Sequence, residues 1–139
     1  MPKKFYTKKI DAFTLTEVLV VLVIVGILVL LALPNLMPLI TKAKSTEAKI
    51  QLEHVYTLEK NIFYERSKYS ADLLTIGFQQ EPLVTDSENG KANYRIEVVE
   101  ASPTTFLAKA TAVADFDGDG VYNVWEIDHN KNLKEVVQD

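Results

Sequence analysis

The chain has 139 residues, 47% of them hydrophobic, no cysteine and a formal net charge of −4. That length suits one domain, or a small domain with an appendage. An acidic chain carries no electrostatic footprint for holding nucleic acid, and without cysteine no disulfide can staple a small head, which leaves a metal, oligomerisation or a long supporting helix.

The first element is a basic leader over residues 1–12, with Lys3, Lys4, Lys8 and Lys9 against one acid, Asp11. The rest of the chain is therefore more acidic than the total implies. "KKIDAFTLTEVLVVLVIVGILVLLALPNL" follows over residues 8–36, with sixteen apolar or glycine residues in a row behind Glu17. The run is too long for the core of a secretory signal, and prolines follow it where a small-residue cleavage site would stand. Residues 15–36 match the ~20 residues needed to cross a bilayer as a helix. The slightly richer lysine cluster in front favours a cytoplasmic N-terminus. A carboxylate at the edge of such a run is costly unless it has a partner or a task.

These residues resemble the class III signal of type IV pilins and type II secretion pseudopilins. The resemblance rests on the basic leader, Phe13, Thr14, Leu15, Glu17, Gly26 and Pro34, with Ala12 in place of the usual glycine and Thr16 in place of a common isoleucine. It implies cleavage between Ala12 and Phe13 by a prepilin peptidase that also methylates the new amine. It further implies that Glu17 meets the Phe13 amine of a neighbouring subunit, with Gly26 and Pro34 at their usual places in the assembly helix. The expected partners are other copies of the chain, in a helical homopolymer, and the assembly machinery of the inner membrane. The precursor would sit in that membrane as a single pass, and the filament in the periplasm or at the cell surface. Glu17 snorkelling to the interface is the plainer alternative, and a short stem does this poorly.

Pro34 and Pro38 predict a bend. Beyond them Ala48, Leu52, Val55, Leu58 and Ile62 form an apolar stripe, with Glu47, Lys49, Glu53, Glu59 and Lys60 placed away from it. One helix from about residue 14 to residue 64 would be about 75 Å long. His54 and His129, without a cysteine, give a zinc site little support. "RSKYSADLLTIGFQQEPLVTDSENGKANY" reads as a connecting loop with one helical turn over 70–76, capped by Ser70.

From residue 93 the period becomes two. "YRIEVVE", "TFLAKATAVA", "VYNVWEID" and "NLKEVV" predict an antiparallel meander of three or four strands packed on the helix stripe, an α+β head. Val121, Asn123, Trp125 and Ile127 are placed on one face of the third strand, with Trp125 as a core anchor.

Between two strands lies "ADFDGDGVYNVWE". Asp115, Asp117 and Asp119 alternate, Gly120 follows, and Glu126 stands at the twelfth place of a loop over 115–126. That is the spacing of an EF-hand loop set between strands, and oxygen-only ligands favour Ca²⁺, with the Val121 carbonyl as a further donor. A plain Asp-Gly turn is the alternative. The stretch also resembles the start of haloacid-dehalogenase-type phosphatases, but too little chain follows it for that fold. The pilin resemblance supports the metal, because the major pseudopilin of type II secretion carries calcium in this part of the head.

The expected organisation is a leader over 1–12, a membrane and filament-core helix over 13–40, its amphipathic continuation over 41–66, and a head over 67–139. The expected function is a structural subunit of a type IV pilus-like filament. The alternatives are a secretion pseudopilin and, from another class, a membrane-anchored calcium-binding adhesion module. No nucleophile–base pair or phosphate loop supports an enzyme.

Overall fold

The computed structural model describes residues 1–2 and 12–139, so the leader lysines lie outside the described residues. Among the described residues the elements are one helix, α1 (Leu15–Arg66), and four strands, β1 (Tyr94–Ala101), β2 (Phe106–Ala112), β3 (Val124–Asp128) and β4 (Leu133–Val137). The chain divides into two units, Met1–Asn35 and Leu36–Asp139, each described here by itself.

In the first unit the helix is apolar on all sides and buries none of its residues, and it is long and apolar enough to cross a membrane. The helix continues through Pro34 and Pro38.

The second unit is an α+β head. Its strands form one sheet in the order β1-β2-β3-β4, every neighbour antiparallel, as the alternating pattern predicts. The face turned to the core carries Tyr94 and Ile96 from β1, Phe106, Ala108, Ala110 and Ala112 from β2, and Ile127 from β3. The alternate alanines of β2 leave room over the middle of the sheet for the side chains of a packed helix. Short turns join β1 to β2 and β3 to β4. In the last of them Asp128 Oδ1 accepts from the backbone N–H groups of Asn130 (2.8 Å) and Asn132 (3.0 Å), which accommodates Lys131 at φ 65°.

The stripe that α1 buries in the head is Thr41, Ser45, Ala48, Leu52, Val55, Glu59 and Ile62. Steps of four and three alternate throughout, the spacing of a narrow packing seam. Two positions differ from the sequence expectation. Glu59, expected on the solvent face, is fully buried in the seam, and Leu58 lies at its partly buried flank. The alternation decides this: after Val55 the next inward position is four residues on. Thr41 and Ser45 escape a hydrophobicity search because they are polar. Their hydroxyls donate to the carbonyls of Met37 (3.4 Å) and Lys42 (2.9 Å), so each is satisfied within its own helix.

The loop after α1 packs Tyr69, Ile76 and Phe78 into the core. The turn predicted over 70–76 is a series of turns rather than a helix. Ser70 Oγ accepts from Asp72 N–H (3.2 Å), and Asp72 does most of the capping, accepting from Leu74 N–H (3.1 Å) and the Thr75 hydroxyl (2.6 Å). Gln80 covers the free edge of β1. Its side chain accepts from Ile96 N–H (2.9 Å) and donates to the Tyr94 carbonyl (3.2 Å), as a neighbouring strand would.

Candidate functional site

Two places carry chemistry, one in each unit. In the first, Thr14 caps α1. Its N–H and hydroxyl donate to Glu17 Oε2 at 2.8 and 2.9 Å, and Glu17 N–H donates back to Thr14 Oγ1 at 3.2 Å. This is a reciprocal capping box, written in the sequence as T-L-T-E. The Glu17 carboxylate thus has a local partner that the sequence reading missed, although the T-x-x-E spacing signals it. Phe13 is exposed beside it, and Gly26 has open space around it. Pro34 lies within the helical run.

In the head, residues 113–123 join β2 to β3 and bring carboxylates together. Asp115, Asp117, Asp119 and Asp139 each offer an oxygen, all within 4.8 Å of one another. The loop's own backbone arranges them. Gly118 and Gly120 adopt left-handed φ values of 85° and 89°, turning their N–H groups toward Asp115 at 2.6 and 2.7 Å. Asp117 accepts from Asp119 N–H (3.1 Å), and Asp119 accepts from Val121 N–H (2.7 Å). Those N–H groups, Gly120 first, hold the Asp115 carboxyl below its ordinary range. Asp117 is pushed up, by desolvation first and then by repulsion from Asp119, Asp139 and Asp115. Neighbouring like charges make a cation the natural complement.

Phe116 tethers the loop to the core. Its ring meets Tyr94 edge-on at 5.8 Å, and Lys44 Nζ lies 4.3 Å from its centroid. Phe116 N–H donates to Asp139 Oδ2 (3.1 Å), while Asp139 Oδ1 is buried without a partner among the described residues. An orphaned carboxylate oxygen beside three acids is a donor position a hard cation would satisfy, so the residues present fit an oxygen-coordinated metal. Asp139 lies far along the chain from the D-x-D-x-D-G run, and no local spacing points to it.

Two expectations for this region are corrected. Glu126 stands on β3, outside the acidic group. Strand alternation turns it to the outer face, where Lys109 of β2 (3.4 Å) and Lys134 of β4 (3.8 Å) neutralise it from their paired register positions. β3 also starts only at Val124, so Val121 is exposed in the loop instead of sharing a strand face. Trp125 is half-buried at the rim under Lys49 Nζ (4.3 Å), and the fully buried members are Ile127 and Asn123.

Asn123 is the polar knot of the head. Tyr94 Oη donates to its Oδ1 (2.7 Å), and its Nδ2 donates to Glu135 Oε1 (2.6 Å) and the Val137 carbonyl (3.0 Å). Burial, reinforced by Glu47, Asp139 and Glu135, pushes the Tyr94 phenol far up and keeps it a donor. A second clasp joins α1 to the start of β1, where the Glu47 carboxylate accepts from Asn93 N–H (2.8 Å) and Nδ2 (2.7 Å). Both knots link segments distant in sequence, so spacing gives no sign of them.

Residues 7–33 match the family model described as the prokaryotic N-terminal methylation motif. The chain is also similar to a protein named type IV major pilin protein PilA from Myxococcus xanthus (strain DK1622), with 41% identity over 69 residues. That stretch is 50% of this chain and 31% of the relative, so the chain spans about a third of the length of the curated relative it matches.

Proposed function

We infer that this chain, a type IV pilin family protein by its motif and its relative, is a structural subunit of an extracellular type IV pilus-like filament. The observation that carries the inference is the methylation motif matched over residues 7–33, together with a helix from Leu15 onward whose large apolar side chains stay exposed up to Ile40. In the precursor the membrane would cover that surface; in the filament, other copies would.

In this proposal a prepilin peptidase cuts between Ala12 and Phe13 and methylates the Phe13 amine. The capping box leaves Glu17 folded against its own helix end in the isolated subunit. On assembly the carboxylate exchanges that neutral cap for the positively charged Phe13 amine of a neighbour. A charge left unpaired among apolar helices is costly, and the exchange selects one axial register.

In the head, Asp115, Asp117, Asp119 and Asp139 would hold Ca²⁺, with the Val121 carbonyl as a further oxygen. The ion would relieve the repulsion among the carboxylates and pin the loop to β3 and β4. The acidic loop in a chain without cysteine favours, as a second reading, the pseudopilin of a type II secretion system.

Glu17→Leu in cells tests the assembly claim. Sheared surface fibres should fall at least about tenfold while the membrane-bound subunit persists. Mass measurement of the wild-type chain should find it beginning at a methylated Phe13. Undiminished fibres, or an uncut N-terminus, would overturn the proposal.

A further inference from the structure

Among the described residues, Glu59 is the acid that α1 places in its packing seam, and it is fully buried. Its Oε2 accepts one hydrogen bond, from Ser70 N–H at 3.1 Å, and its Oε1 is buried with no partner among the described residues. We propose that Glu59 is a proton-operated latch: uncharged, it holds the loop over 67–78 down on the helix, and its ionisation loosens that loop.

The argument starts from the demand of a carboxylate for several donors. In a dry site with a single N–H, the neutral acid costs less than the anion. The Ser70 N–H is the carboxyl's one bonded partner, so lifting the chain around Ser70 is the opening that would bring water to it. That chain is otherwise held by Tyr69, which stacks on Phe63 (4.8 Å), lies tilted against Phe106 (4.9 Å) and accepts from Lys60 Nζ (2.8 Å). Farther along, Ile76 and Phe78 are buried in the same core. The latch therefore acts on one segment, and β1 to β4 keep their own hydrogen bonds.

Among the described residues, no charged side chain bonds to Glu59. On the helix, Lys60 is committed to Tyr69, Tyr56 lies under Lys60 and Lys131, and exposed His54 leans on Phe78 at 5.8 Å. On the loop, Lys68 and Asp72 are exposed, and Asp72 is taken up by Leu74 and Thr75. On the core face of the sheet, Tyr94 and Glu135 are bonded to Asn123. Burial pushes the Glu59 carboxyl above its ordinary value, with the Ser70 N–H opposing. A raised folded value means that the stabilisation is complete below the ordinary carboxylate range and is lost as pH rises through the raised value.

The test is hydrogen exchange of the full chain in detergent micelles from about pH 4 to about pH 8, corrected for intrinsic exchange, on the peptide covering 67–78. Protection there should fall on the order of tenfold for each unit by which the fold raises Glu59. In Glu59→Gln, which keeps the acceptor and removes the charge, the profile should be flat. His54 and His129 are unchanged in both chains, so the difference isolates Glu59. If Glu59→Gln fails to fold, the Ser70 amide shift of the wild-type chain reports the same titration, with a midpoint above the ordinary glutamate range. A flat wild-type profile, an equal slope in the variant, or a Ser70 midpoint at or below that range would each overturn the latch.

Discussion

The two stretches of α1 treat apolar residues in opposite ways. From Leu15 to Ile40 every large apolar side chain is exposed, and Glu17, the acid of the stretch, bonds to Thr14 at its own helix end. From Thr41 onward a narrow seam is buried, and it includes a threonine, a serine and a glutamate. The contrast teaches that hydrophobicity alone does not tell where a helix finds its core. The first stretch has apolar surface that none of the described residues covers. The second has less apolar surface but is matched by a sheet whose alanines leave room for it.

A matched pair of truncations breaks or sharpens that contrast most directly. Leu52→Ala, in the buried seam, should lower the stability of the full chain in detergent by about 2–5 kcal/mol, whereas Leu22→Ala should leave the head's thermal midpoint unchanged. Equal shifts would mean that the exposed stretch is part of the head's folding unit. Next in size is Asn123→Ala. Removing the knot strands Tyr94 Oη and the Val137 carbonyl, and should cost about 2–4 kcal/mol in denaturant unfolding. A cost near zero would mean that the polar knot adds nothing to the apolar core.

The smallest effect concerns the acidic loop. At a calcium concentration about a hundredfold above its dissociation constant, the ion should add about 2.7 kcal/mol, which chelation removes. Asp117→Asn should abolish the response, and Glu126→Gln should preserve it while changing stability by less than about 1 kcal/mol. A calcium response lost in Glu126→Gln would return that residue to the metal's donor set.

Much of the architecture could be read from residue patterns. The apolar run predicts the exposed helix, and the alternation of "YRIEVVE" and its successors predicts an antiparallel meander. The D-x-D-x-D-G spacing brings three carboxylates together because a short loop leaves them nowhere else to go. Glu126 was misplaced because loop counting was carried into a strand, where side-chain direction is set by period two and the lysines on either side. Glu59 was misplaced because its charge was taken to decide its face, when the seam's alternating steps decide it. The cap that Thr14 makes with Glu17 was overlooked although its T-x-x-E spacing is local and legible.

What the amino-acid order determined by itself is everything that depends on near neighbours: helix and strand periods, the cap at Thr14, the clustered aspartates and the methylation motif. The tertiary structure alone decided the partners that meet from far along the chain. Asp139 joins the aspartates, Asn123 ties Tyr94 to β4, Glu47 clasps Asn93, and Ser70 covers Glu59. Such contacts arise from packing a helix onto a sheet, which sets directions and distances that no spacing along the chain records.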